Sequence, residues 1–461
     1  MEEFAHADGK SIKEKGSVMK RTVRAAIGMV AIAAMSIGTL AACGGSDSGS
    51  GDSKGKVYYL NYKPETNDAW QALAKKYTKQ TGVEVKVQTA ASETYPQTLK
   101  SELAKSNAPT LFQINGVVDY QTWKAYTTDM SDTEPYKQLK DQSMALKDGD
   151  KVVGVPYVVE SYGLIYNKDL MAKYIATDGA KIKDVKDIDN FDTLKAVADD
   201  IQAKKDELGV EGAFTSAGFD SSSDWRFKGH LANNPLYFEF RDNNITEQPA
   251  TIEGTYLPQF KQIFDLYLKD STCPRTQVSS KTGDDANSEF ALGQAVFYQN
   301  GTWAWADMQK AGVKAESVGM MPIYMGVKGE ENQGLDVNSD AYWSINDKAS
   351  DADKKATKDF LKWVITNQAG IDSISKDMGL TTPFKSFEVV KSDNPLVQAE
   401  IAYQDSGKEA VSTRPTAMIP SEEWKNQLGS AMLEYAQGTG DWNAVKKAFV
   451  DNWKSEYDAS H

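Results

Sequence analysis

The 461-residue chain is 40% hydrophobic and 25% charged with a formal net charge of −13, which suits a protein with a large core and argues against nucleic acid or anionic lipid as partner. Two cysteines and three histidines are too few for a disulfide framework or a histidine-rich metal site. The length allows two or three domains, and two large ones are the simplest division.

Residues 1–18 place charged groups ahead of Met19 and are read as an upstream extension without a role. Lys20, Arg21 and Arg24 then precede an apolar run, Ala25 to Ala42, rich in small residues. A basic start, a short apolar middle and small residues at the end predict a secretory signal over 19–42. The stretch Leu40-Ala41-Ala42-Cys43 resembles the lipobox of bacterial lipoproteins, which implies that Cys43 receives a diacylglycerol and becomes the new N-terminus. The alternative, a plain transmembrane anchor, is disfavoured by the length and flanks of the run. After the cut only Cys273 is left, so stability rests on burial and not on an internal disulfide. The Gly/Ser/Asp-rich residues 43–55 read as a flexible tether.

Regular patterns follow. KVYYLNY (56–62) predicts a strand, and TNDAWQALAKKYTKQTG spaces Ala69, Leu73 and Tyr77 on one helical face, with Asn67 as candidate cap and Gly82 as stop. VEVKVQT alternates Val83, Val85 and Val87 as a half-buried strand does. A second helix around Leu99 and Leu103 ends at Asn107-Ala108-Pro109, and TLFQIN is the next strand. Strand, helix, strand, helix, strand predicts an α/β fold with a mainly parallel sheet. Ligands of such sheets bind at the carboxyl ends of strands, which puts Asn61, Tyr62, Asn115 and Gly116 at a mouth, although for any one of them taken singly ordinary turn chemistry is the better account. Asp148-Gly149 signals a hairpin. Further on, QNGTWAW sets Trp303 and Trp305 beside an Asn-Gly turn, as a cleft wall or as core. There is no G-x-x-x-x-G-K-[ST] phosphate loop, and Cys273 has no recognisable catalytic partner.

Three segments, GVPYVVESYGLIYNKDL, EFALGQAVFYQNGTWAW and KDFLKWVITNQAG, together with MIPSEEWKNQLGSAMLEYAQG, resemble in order and spacing the bacterial extracellular solute-binding proteins of carbohydrate ABC importers, the maltose-binding protein relatives. The resemblance runs from Lys56 to the C-terminus. It implies a two-lobed periplasmic-binding-protein-like fold with a ligand cleft between lobes joined by crossing hinge segments. Lobe 1 is expected over 56–158 and 343–385, lobe 2 over 162–335 and 390–461, with hinges near 159–161, 336–342 and 386–389. It implies an oligosaccharide ligand, importer permease subunits as partners, attachment to the outer face of the membrane through the Cys43 lipid alone, a monomer, and neither cofactor nor metal. By the same resemblance Trp303 is the sugar-stacking ring, Glu160 a carboxylate accepting sugar hydroxyls with Tyr162 beside it, and Trp225, Trp424 and Trp343 further aromatic platforms. Trp305 is expected in the core. The loop Gln113-Ile114-Asn115-Gly116-Val117 lacks the charged and aromatic groups of maltose-type relatives, so their sugar does not carry over. Two rival readings stay open: a secreted glycoside hydrolase using a carboxylate pair, and a peptide or metal receptor of the same broad fold.

Overall fold

The structure, a computed structural model, describes residues 54–460 apart from 91–93, 340 and 389–390. The signal segment and Cys43 therefore lie outside the described residues. Twelve strands are described: β1 (Lys56–Asn61), β2 (Glu84–Thr89), β3 (Leu111–Asn115), β4 (Leu146–Asp148), β5 (Lys151–Pro156), β6 (Glu160–Asn167), β7 (Gly212–Phe214), β8 (Ala295–Gly301), β9 (Val318–Met321), β10 (Gln333–Asn338), β11 (Ala341–Ile345) and β12 (Glu409–Ser412). They form two sheets, ordered β2-β1-β3-β11-β5-β4 and β12-β10-β6-β8-β7, with β9 also paired to β6.

The first sheet begins as its pattern predicts. Helix α1 (Asn67–Thr81) buries Trp70, Leu73, Ala74 and Tyr77 on one face and stops at Gly82, whose φ of 73° is the left-handed conformation that ends helices. Asn67 is not the cap but the first helical residue, and its Oδ1 accepts from Thr89 Oγ1 on β2 at 2.9 Å. Helix α2 (Tyr95–Leu103) follows β2, and α3 (Gly116–Trp123) starts where β3 ends. β1 runs parallel to β2 and β3, but β11 is antiparallel to both β3 and β5, so the sheet is mixed. The reason is connectivity: β11 re-enters from the second sheet, and a strand arriving from the opposite direction pairs antiparallel.

Alternation along β11 sends Ala341, Trp343 and Ile345 into the cluster shared with α1 and the helix Asp351–Thr366, and Tyr342 to the other side with α2 and α3. The second sheet has its larger cluster around Leu164, Phe264, Trp424 and Phe449, and a smaller one around Trp305 and Met308. Three stretches pass between the sheets. The chain leaves β5 at Pro156 and enters β6 at Glu160; it leaves β10 at Asn338 and enters β11 at Ala341. Later, Phe387 packs in the first-sheet cluster while Leu396 packs in the second-sheet one. No described helix is long and apolar enough to cross a membrane.

Candidate functional site: the cleft between the sheets

On the first-sheet side the turn after β1 is held by its own hydrogen bonds. Asn61 is fully buried; its Nδ2 donates to Lys63 O (2.8 Å) and Thr66 Oγ1 (3.3 Å), and its Oδ1 accepts from the Lys63 amide (3.2 Å). Gln113 Oε1 accepts from the Tyr62 amide at 2.6 Å. The turn so fixed aims Lys63 across to the second sheet, where its ammonium donates to both oxygens of Glu160, at 2.8 and 2.9 Å. Glu65 stands 3.7 Å from the same ammonium, and the Tyr62 and Trp303 rings lie with their centroids 5.5 and 5.8 Å away. Burial by itself pulls the Lys63 ammonium down, but Glu160, with Tyr62 and Glu65, outweighs it and holds the group above the ordinary lysine value. At one rim α3 packs on the turn Arg414–Met418, and Val118 lies against the second-sheet cluster, so the two sheets close on each other there as well.

The second-sheet side is built from rings. β8 ends at Gly301, and Trp303 follows in the single turn Thr302–Ala304. A Cβ on Gly301 would collide with the six-membered ring of Trp303, so glycine is what lets the indole fold back over the strand end. The turn becomes helical at Trp305, which rotates that ring away into the cluster with Met308, where it is 7% exposed. Trp225 precedes the wide helical turn Arg226–Leu231 and comes within 5.9 Å of Trp303, the two rings inclined at 64°. His230, from the same turn, stacks on Tyr162 at 4.1 Å and 10° and meets Trp225 and Trp303 edge-on at 4.8 and 5.5 Å. His230 as a residue is half-buried, and burial, with Arg226, Lys63 and Lys425 adding to it, pushes the imidazole down to about 3, so the ring is neutral at physiological pH. Beneath Tyr162, Asp336 pairs with it across β6 and β10 and accepts from Asn234 Nδ2 at 3.0 Å; burial lifts this carboxyl to about 8.

Flat, half-exposed rings therefore face a cation and carboxylates. No group of three or more His, Cys, Asp or Glu suited to a metal occurs among the described residues. Residues 72–403 match the family described as bacterial extracellular solute-binding protein. The chain belongs to that family. Solved structures agree in fold. A chitin oligosaccharide binding protein is 19% identical with a TM-score of 0.69, covering 88% of this chain and 98% of its own. The solute-binding protein RafE in complex with raffinose is 19% identical with a TM-score of 0.67, covering 87% and 99%. Maltose-bound MalE3 of T. maritima is 15% identical with a TM-score of 0.64, covering 87% and 99%. A family of binding proteins displaces the hydrolase reading, and the pairing of both Glu160 oxygens with one ammonium is unlike a free acid/base pair.

In this solute-binding protein Trp303 and Trp225 stand together near Glu160, while Tyr162, 0% exposed, lies covered by His230 and supports the rings from below; two expected platforms do not join them. Trp343 is 0% exposed, stacked on Tyr157 at 4.6 Å with its Nε1 donating to Tyr59 OH at 3.3 Å. Trp424 is 0% exposed, its Nε1 donating to Phe449 O at 3.0 Å and its ring edge-on to Trp453. Both are core residues, the first because of β11 alternation, the second because Ser421 caps a helix that turns Trp424 inward. Asn61 is internal to its turn, and Asn115 is exposed at the start of α3, where its amide donates to Asp119 Oδ2 at 2.9 Å. Lys63, His230 and Arg226 were missed. The single local signal for Lys63 is a lysine directly after the predicted strand 56–62, and a lone histidine such as His230 carries none.

Proposed function

We propose that the chain is the lipid-anchored receptor of an ABC importer, binding an uncharged oligosaccharide between its two sheets and handing it to the permease. The observation that carries this reading is the set of half-exposed rings, Trp303, Trp225 and His230, opposite the Lys63–Glu160 pair. A pyranose has a C–H face that suits an indole and a rim of hydroxyls that suits an ammonium and a carboxylate side by side. The proteins of like fold named for chitin oligosaccharide, raffinose and maltose support a sugar as the ligand class. Lys63 is already held by Glu160 with Glu65 beside it, and His230 is neutral, so neither of these groups is free to hold a uronate.

The three passages between the sheets would act as hinges. A ligand touching both sides favours the closed state by its differential affinity, and the importer would read loaded from empty by shape. Cys43 would hold the chain at the membrane.

The test is titration calorimetry of the mature chain against neutral β-linked amino-sugar oligomers, raffinose, malto-oligosaccharides and their acidic counterparts. Micromolar or tighter binding of a neutral member, about −8 kcal/mol, with no release of reducing ends, is expected. Binding only of acidic sugars, or of none, removes the reading. For the anchor, Cys43→Ser should abolish lipid labelling, and normal labelling would sink it.

A further inference from the structure

Three buried polar atoms of the second-sheet half lack hydrogen-bond partners and belong to residues around one cavity. Arg226 Nη1, Gln299 Oε1 and Tyr267 OH are unpartnered. Their residues, 4%, 7% and 5% exposed, line a cavity of about 20 Å³ whose apolar walls include Phe227, Leu268 and Val278. That volume exceeds the ~10–15 Å³ a single water requires, and is too small for any organic ligand.

Arg226 has a second peculiarity: it is a buried guanidinium whose described hydrogen bonds go to neutral oxygens. Its Nη2 donates to Tyr298 OH at 2.7 Å and its Nε to Gln299 O at 3.3 Å. Gln299 answers with Nε2 to Arg226 O at 2.9 Å. A carbonyl can only accept, so this bond fixes the amide and leaves Oε1 as the unpaired end. The reciprocal clamp ties the turn that carries Trp225 and His230 to β8, which runs directly into Trp303. The guanidinium carbon lies 4.5 Å from the Trp225 ring, behind the floor of the cleft.

We propose that Arg226 is the positioning residue for the Trp225–Trp303 floor, and that one internal water, bonded to Arg226 Nη1, Gln299 Oε1 and Tyr267 OH, completes its hydrogen bonding. Water fits where an anion does not, because Gln299 Oε1 needs a donor and an anion has none. Three partners is the usual number for a buried water. A hydrated guanidinium supplies a rigid, planar backing for Trp225 that a lysine, with one compact ammonium, cannot reproduce.

The positioning arm rests on the sugar-cleft reading, while the water arm does not. A high-resolution crystal structure of the wild type should show one solvent peak within hydrogen-bond distance of the three atoms and no anomalous signal there after a bromide soak. A bromide peak, or a cavity without density, overturns the water. Arg226→Lys should weaken binding of the best neutral sugar about tenfold and change the near-ultraviolet circular dichroism of the paired indoles, with a melting temperature close to wild type. In a Trp225→Ala background the same substitution should have little further effect on affinity. An equal loss in both backgrounds overturns positioning through Trp225. If the wild type binds no sugar at all, the cleft reading fails, and the dichroism change with its dependence on Trp225 still decides the positioning claim.

Discussion

The two faces of the cleft are built by different physics. The first-sheet face is a turn organised by hydrogen bonds, in which Asn61 and Gln113 are spent on holding the backbone so that Lys63 can reach Glu160. The second-sheet face is a set of rings placed by their contacts with one another and by a glycine that leaves room for one of them. Polar side chains at a strand end can serve either the ligand or the loop, and here the loop takes them; large rings at a turn cannot all be hidden, and what is left over becomes the floor. The face with the plainest polar residues is therefore the less direct guide to the ligand.

That contrast can be broken in four places. The largest effect is expected at Lys63. Lys63→Met leaves Glu160 buried without its partner and should cost about 3–5 kcal/mol of stability, whereas the double change with Glu160→Gln should recover most of it. Urea denaturation measures both, and a single variant within about 1 kcal/mol of wild type would show that the bridge between the sheets contributes nothing. Next, Trp343→Ala and Trp424→Ala should each cost about 3–5 kcal/mol as cavity-forming core changes and leave sugar affinity of the folded fraction nearly unchanged. Loss of binding at unaltered stability in either one would return that ring to the cleft. Third, Trp303→Ala should weaken binding by about 1–3 kcal/mol without unfolding, while Trp305→Ala should lower the melting temperature instead. The reverse outcome would mean that the two rings have been exchanged. Gly301→Ala should mimic Trp303→Ala in calorimetry, because the new Cβ displaces the indole.

The last test concerns pH. Asp336 is raised by burial from its usual 3.8 to about 8. A folded-state value above the unfolded one means that the native protein keeps a proton the unfolded chain releases, so this contribution is complete below about 4 and is lost progressively as pH rises towards about 8. Asp336→Asn, which mimics the protonated acid, should flatten the fall of melting temperature over that window. An unchanged profile would show that Asp336 is not the group responsible.

Much of the first-sheet face was legible. Ala69, Leu73 and Tyr77 marked α1, Gly82 its end, and Val83, Val85 and Val87 a half-buried strand, because these are local periodicities that each element repeats by itself. The antiparallel β11 was not legible as such, since its direction depends on where the chain arrives from. Trp303 could be singled out, but Trp225 could not be told from Trp424, nor Trp343 excluded. All four are tryptophans near a turn or crossing, and only the neighbours on each side tell an inward ring from an accessible one.

The amino-acid sequence by itself determined the elements of the α/β fold, the order of segments that marks the family, and the residues available to a cleft, because helical and strand periods and turn residues act over a few positions of the chain. Tertiary structure decided which of those residues meet. Lys63 and Glu160 are 97 positions apart and Arg226 and Gln299 are 73, and no local pattern links them. They come together because two sheets, each satisfied within itself, must still share the passages between them, and it is there that the ring floor, the ion pair and the clamp behind Trp225 were assembled.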